Sequence, residues 1–263
     1  MKRSEDIEDR LFKSIKIKEK YVSVVTILIL VILWQWITYF LRIPEYILPS
    51  PTDIVSSLIR SKDILWLHSL TTIYEAGIGF IIAIIFALVI AIIMNQWKLF
   101  KVSLYPLLVI SQTIPIIALA PLIMIWMGFG SLPKVVVVVI VCFFPISVSV
   151  VEGLATVDKD LLDIMEIMGA NKFQVFLKVK LPYSLPSFFA GLKIAATYSI
   201  MGAIIGEWLG AKRGLGIFMT RTMSSFKTSD LFAAIIIVVL LSIALFKIIE
   251  WVGRKLMPWN REL

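Results

Sequence analysis

Long apolar runs alternate along this chain with short polar, charge-bearing connections, and the runs have the length of membrane spans. About 20 mostly apolar residues cross a hydrocarbon core of about 30 Å as an α-helix. Six stretches meet that requirement: Val22–Leu41, Thr71–Met94, Val102–Met127, Val135–Val151, Ser187–Gly206 and Leu231–Val252. The fourth is the shortest, and its Val/Ile run would suit a strand. An open strand leaves its backbone unsatisfied in lipid, so a helix is expected. The predicted class is an all-α integral membrane protein with six transmembrane helices. The expected organisation is a tail over 1–21, a first span over 22–41, an outer segment over 42–69, a five-helix core over 70–252 and a tail over 253–263.

The polar connections carry their own signals. Leu48-Pro49-Ser50-Pro51-Thr52-Asp53 reads as a helix start: Ser50 as N-cap, Pro51 at the first helical position, Asp53 at the positive end of the dipole. Ile54, Val55, Leu58 and Ile59 then form one stripe, predicting a short surface helix. Before the first span, Ile7, Leu11 and Ile15 recur among Lys and Arg; an interfacial amphipathic helix and a solvated tail fit equally. After the fourth span, Leu161, Leu162, Met165 and Met168 form a stripe among acidic residues. Gly169 suits a left-handed helix end, and Asn171 can cap a second short helix through Phe173, Val175, Phe176 and Val179 to Leu181-Pro182. This helix–turn–helix is either offered to a soluble partner or tucked against the membrane, and amphipathicity alone does not separate the two.

Composition fits the membrane class: 59% of residues are hydrophobic and the mean hydropathy is +0.94, against roughly 45–50% apolar usage in soluble domains. Lys and Arg divide sixteen to eight between the two sides of the predicted topology. The richer side holds both termini and the 153–186 loop, which the positive-inside rule places in the cytoplasm. The net charge of +8 follows from this asymmetry, and no aromatic-interleaved basic patch supports a nucleic-acid partner. The first span lacks a small-residue cleavage site and reads as an anchor rather than a signal peptide. A single cysteine, Cys142, and a single histidine, His68, leave no paired metal motif, and neither a Walker A sequence nor a nucleophile elbow occurs.

Within the spans, Pro106, Pro115 and Pro121 fall in the third and Pro145 in the fourth; each removes a backbone donor, either bending a helix along a substrate path or simply kinking it. Gly77, Gly79, Ala83 and Ala87, and likewise Gly191, Ala195, Ala196 and Gly202, form small-residue faces suited to close helix contact. Intramembrane charges default to function. Lys247 and Glu250 can pair, while Glu75 and Glu207 lie at similar depth and are candidates for an outer vestibule. His68, beside Trp66, is expected to be an interfacial anchor.

The spacing in the loop is specific. Asp163-x5-Gly169-x9-Val179-x-Leu181-Pro182 resembles the EAA motif of ATP-binding-cassette (ABC) importer permeases, Glu-Ala-Ala-x3-Gly-x9-Ile-x-Leu-Pro, and falls between spans four and five as in that family. Asp163 stands where the motif has Glu, and Ile164-Met165 replace its two alanines. Further matches are Leu48-Pro-Ser-Pro51, Ser111-Gln-Thr-Ile-Pro115, Leu119-Ala-Pro-Leu122, Trp126-Met-Gly128, Phe144-Pro145 and Gly214-Leu-Gly216. They are similar to the nitrate/sulfonate/taurine branch. Within it, Ser111–Pro115, Cys142–Pro145 and Tyr198–Gly210 look most like permeases for thiamine pyrimidine precursors.

The resemblance implies a type I ABC importer permease fold in a bacterial cytoplasmic membrane. It implies a homodimer, two ABC ATPase subunits that use ATP and Mg2+, and an extracytoplasmic solute-binding protein; no cofactor is expected in this chain. Asp163, Gly169, Ala170, Asn171, Lys172, Phe173, Gln174, Phe176, Leu181 and Pro182 would form the loop that docks on the ATPase. Gln112, Thr113, Pro115, Tyr198 and Glu207 would line the substrate path. Two other classes compete: an ion-coupled secondary carrier working through Glu75 or Glu207, and a membrane scaffold for energy-coupled vitamin uptake. The absence of a repeat between the halves disfavours the carrier.

Overall fold

The computed structural model describes Val22 and residues 24–259, and among these every regular element is helical. The helices are α1 (Val24–Phe40), α2 (Pro51–Arg60), α3 (Lys62–Gln96), α4 (Lys98–Ser111), α5 (Ile116–Met127), α6 (Ser131–Ala155), α7 (Lys159–Ile167), α8 (Lys172–Val175), α9 (Leu181–Trp208), α10 (Leu215–Ser224) and α11 (Thr228–Leu256). One π turn, Phe176–Lys180, joins α8 to α9. The amphipathic N-terminal helix considered from sequence lies outside the described residues.

Two compact units are present: Met1–Lys62 with Thr222–Ala233, and Asp63–Arg221 with Ala234–Leu263. In the smaller unit α1 exposes most of its apolar side chains, as a helix facing lipid must. The start of α2 follows its sequence: Ser50 and Asp53 form a reciprocal capping box with Pro51 in the first turn. Asp230 accepts hydrogen bonds from Ser57 Oγ and, at 3.0 Å, from Ser61 Oγ, and Thr228 donates to Tyr46 O at 2.7 Å. A sequence of Ser and Asp residues thus fastens the ends of separate segments within that unit.

The larger unit is organised by α6 and α9, which run antiparallel along most of their lengths. Lipid chains are as apolar as leucine, so helices in a membrane associate mainly through close packing and hydrogen bonds rather than water exclusion. This pair packs through residues with almost no side chain. A Cβ built on Gly153 would lie 2.7 Å from Ser187 Cβ, and one on Gly191 would lie 2.7 Å from Ser149 Cβ. Further along, Gly202 faces Val138 and Gly206 faces Lys134. Each step along α6 is matched by an equal step back along α9, which fixes the register. Cys142 Sγ adds a contact of 3.3 Å to Ala195 O. Around the seam, α3 brings Gly79 against Val138, and α11 brings Gly253 against Phe189.

The small-residue faces expected from sequence are buried at Gly79, Ala83, Ala87, Gly191, Ala195, Ala196 and Gly202. Gly77 is different: no atom lies within 4 Å of a Cβ placed there. Its position on α3 is one residue off the packed stripe. The expected third span also changes. Instead of one helix over Val102–Met127, the chain makes α4 and α5 at 101° to each other. Pro106 and Pro121 remain inside helices, and the break falls at Gln112–Pro115. Ser111 and Thr113 turn their hydroxyls back to the carbonyls of Leu108 and Ile110, at 2.8 and 2.7 Å, competing with the helical ladder just before a proline that disfavours helical geometry at Ile114.

Gly191→Ala places a methyl group into the α6–α9 contact and should destabilise the protein by about 1–3 kcal/mol through overpacking. Gly77→Ala should be neutral or stabilise by about 0.5–1 kcal/mol, because only helix propensity changes. Thermal unfolding midpoints of both variants in one detergent measure the contrast; equal midpoints would refute the seam.

Candidate functional site

Three arrangements of polar groups stand out in the larger unit. The first is the turn between α7 and α8. Asp158 caps α7 by accepting from Asp160 N at 3.0 Å. The helix closes with Met168 N on Ile164 O, Gly169 N on Glu166 O and Ala170 N on Met165 O. Gly169 has φ +75°, the left-handed geometry its sequence position suggests. Asn171 and Gln174 then cap α8 reciprocally, each bond 2.9 Å. Ile167, Met168 and Phe173 are 86%, 76% and 70% exposed, so the turn presents an apolar knob. Ile167 was not singled out by the sequence reading, although its place two residues before the glycine turn was the available signal. Phe176 behaves oppositely and packs against the main core.

Beyond the knob the chain does not stop. Residues Lys172–Trp208 form one continuous helical path through the π turn. Leu181 N bonds Phe176 O, five residues back, where an ordinary helix would bond four back. Pro182, without an N–H, follows immediately, so the widened turn lets the helix pass through a residue that cannot close its ladder. Leu181 and Pro182 therefore begin α9 itself. Asp163 lies in the middle of α7.

The second arrangement is a cavity of about 330 Å3 beside the α4–α5 break. It brings together Gln112, Thr113 and Pro115 from the break, Tyr198 from α9, and Phe144 and Pro145 from α6. Its lining is apolar with a few polar groups, the common composition of small-molecule sites, and contains no charged residue.

Glu207, read from sequence as a fifth member of that set, does not line this cavity. It is fully buried. Its Oε1 accepts from Thr72 Oγ1 at 2.7 Å and its Oε2 from Gly216 N at 2.6 Å. Leu215 N donates to the same Thr72 hydroxyl and Gly214 N to His68 Nδ1, both at 2.9 Å. Three consecutive backbone N–H groups at the start of α10 are thus tied to side chains of α3 and α9. Glu75 pairs with Lys134 Nζ at 2.5 Å, also buried. The outer-vestibule expectation for Glu75 and Glu207, and the interfacial one for His68, are corrected: a carboxylate, a hydroxyl and an imidazole are held inside because the chain supplies their partners. The pairings between different helices are not visible from spacing, since the partners of Thr72, Glu75 and His68 lie 59 to 146 residues away; Gly216, nine residues after Glu207, is the one near partner among these bonds. Lys247 and Glu250 do pair, at 2.6 Å.

Comparison with known proteins now bears on this geometry. Residues 79–261 match the family described as the binding-protein-dependent transport system inner membrane component. The chain belongs to this family. It is the membrane permease subunit of an ABC importer, multi-pass, and a transport protein rather than an enzyme. Permeases of this kind work with separate ATPase subunits. Among relatives, the formylaminopyrimidine transport permease protein ThiX of Halalkalibacterium halodurans is 38% identical, aligned over 89% of this chain and 94% of its own. The riboflavin transport system permease protein RibX of Chloroflexus aurantiacus is 31% identical, over 90% and 89%. A crystal structure of an amino acid ABC transporter superposes with a TM-score of 0.61, covering 76% of this chain and 97% of that one. At 16% identity it speaks to the fold alone, which is that of type I importer permeases.

Glu207→Gln keeps the shape but replaces one acceptor oxygen by a donor, so either Thr72 or Gly216 N loses its partner. The expected cost is about 1–3 kcal/mol of stability, read as a lower unfolding midpoint and faster proteolysis at residues 210–216. Altered transport kinetics with an unchanged midpoint would return Glu207 to the substrate path.

Proposed function

We propose that this permease imports a small neutral heteroaromatic solute, a thiamine pyrimidine precursor such as formylaminopyrimidine or hydroxymethylpyrimidine, with the 163–182 loop as its ATPase-coupling element. The observation that carries the substrate reading is the 38% identity to a formylaminopyrimidine permease across nearly the whole of both chains. The cavity chemistry supports it. Sulfonate, taurine or nitrate would leave water with no cation in the lining to meet the anionic group, a costly transfer. A pyrimidine offers ring nitrogens and amino groups to Gln112, Thr113 and Tyr198, and a flat face to Phe144. Riboflavin, also neutral and heteroaromatic, is the second reading, favoured by the RibX relative.

In this account an extracytoplasmic binding protein delivers the solute and two copies of the chain enclose the path. Both termini and the coupling loop face the cytoplasm. ATP and Mg2+ act in the two ATPase subunits, each of which receives one apolar knob of Ile167, Met168 and Phe173. Ala170, Asn171, Lys172 and Gln174 surround the knob, and Asn171 and Gln174 hold its shape.

Uptake of labelled formylaminopyrimidine, riboflavin and taurine, in cells carrying the permease with its ATPase and binding protein, tests the substrate. Pyrimidine uptake is expected, competed by hydroxymethylpyrimidine and not by taurine; transport of taurine alone would overturn it. Tyr198→Ala should lower pyrimidine uptake about tenfold, the loss of roughly 1.4 kcal/mol, while the ATPase still co-purifies. Gly169→Val should abolish co-purification, because a β-branched residue at φ +75° is strained and deforms the turn. Normal assembly and uptake by that variant would remove the loop from the coupling role.

A further inference from the structure

A second cavity, of about 410 Å3, lies at the end of the bundle that carries the coupling loop, well away from the one lined by Tyr198. Four lysines from three parts of the chain line it: Lys98 and Lys101 on the first turn of α4, Lys159 at the start of α7, and Lys180 in the π turn. No carboxylate lines it. Among the described residues none of the four forms an ion pair within 4.0 Å. Of the acids near them in sequence, Glu152 accepts from Tyr105 Oη at 2.9 Å and Asp158 caps α7, while Asp160 and Asp163 on α7 do not line the cavity. Lys180 Nζ is steered by Asn95 Oδ1 at 3.3 Å, which holds it toward the end of α3.

Four like charges converging without a counter-charge repel one another, and a bound anion relieves that repulsion. The deeper wall identifies the kind of anion. Met94, Val151, Leu154 and Leu162 form an apolar floor beneath the lysines. A free phosphate has no use for such a floor, whereas an amphiphile has. The cavity opens where α3 and α6 end and α4 and α9 begin, at the ends of the apolar helices, where headgroups would meet hydrocarbon. Basic pockets between spans at such a level match anionic headgroups, with each lysine contributing electrostatic attraction.

We propose that this cavity binds the phosphate headgroup of an anionic phospholipid, its acyl chain lying over the apolar floor. The site joins the proposed coupling loop, through Lys180 and the preceding Lys159 and Leu162 of α7, to the ends of α3, α4 and α6, so its occupant fastens the loop to the spans. This role is separate from substrate choice and stands whatever solute the permease carries.

Native mass spectrometry of the delipidated permease–ATPase complex, offered phosphatidylglycerol, phosphatidylcholine or inorganic phosphate, tests it. The wild-type complex should retain phosphatidylglycerol about tenfold more than phosphatidylcholine. Replacing all four residues (Lys98→Gln, Lys101→Gln, Lys159→Gln, Lys180→Gln) should erase that preference, and the corresponding four arginine substitutions should preserve it. Equal retention of both lipids by the wild type overturns the proposal, as does an undiminished preference in the glutamine variant. Displacement of phosphatidylglycerol by inorganic phosphate would also overturn it and assign the pocket to free phosphate. The wild-type comparison and the arginine variant decide the matter even if the glutamine variant does not fold.

Discussion

The α6–α9 seam is the constraint on which the other features depend. Gly153, Gly191, Gly202 and Gly206 let the two backbones approach as closely as main-chain atoms permit, and Ser149 and Ser187 fill what space is left. At Gly153 and Gly191 a methyl group would come within 2.7 Å of a serine Cβ, and at Gly206 within 3.1 Å of Lys134 Cα, while Gly202 has ordinary contact with Val138. In a membrane, where apolar burial contributes little to helix association, such contact is the principal source of cohesion. It also makes the pair stiff, because dense packing resists continuous deformation.

Stiffness gives the site its logic. The α7–α8 turn lies between α6 and α9 in the chain, separated from α6 by the non-helical residues 156–158 and α7, and leading into α9 through the continuous Lys172–Trp208 path. The cavity is lined by both, through Phe144 and Pro145 on α6 and Tyr198 on α9. Lys172 and Tyr198 are separated by 26 helical steps, roughly 39 Å at 1.5 Å per residue. In the proposed coupling role, a push on the knob of Ile167, Met168 and Phe173 would travel along the Lys172–Trp208 helix, which the seam holds against α6. At the far end Glu207, Thr72 and His68 tie the start of α10 to α3 and α9, so the same body extends to the opposite face.

Much of this was legible in the sequence wherever the deciding interaction is local. The cap at Ser50, the left-handed Gly169 and the Asn171 cap each depend on residues within a few positions, and each appears as the sequence implies. The apolar runs likewise coincide with helices α1, α3, α6, α9 and α11, while the third run is divided into α4 and α5; four of these helices, or five with the bent pair, are long and apolar enough to cross a membrane. What stayed hidden depends on long-range partners or on competition. Three prolines in one run looked equivalent, yet only Pro115 follows Ser and Thr hydroxyls that pull carbonyls off the ladder. Glu207 and His68 looked like groups for a vestibule or an interface because the sequence gives no sign of Gly214–Gly216 folding back over them. Gly77 looked like part of a packed face, although a rotation of one residue turns it outward. Gln112, Thr113, Pro115 and Tyr198 do share one cavity, which required both the α4–α5 break and the α6–α9 register.

Spin-label distance measurement tests the rigid connection between loop and cavity most directly. Cys142 is the one native cysteine and is buried, so a Cys142→Ser background leaves the introduced sites clean. Labels at Gln174→Cys, on α8, and Val141→Cys, on α6 beside the cavity, report on α9 and the seam together when labelled subunits are diluted with unlabelled ones. The account predicts that this distance within a subunit is the same in the nucleotide-free and ATP-trapped complexes. A shift of several ångströms between the two states would contradict it.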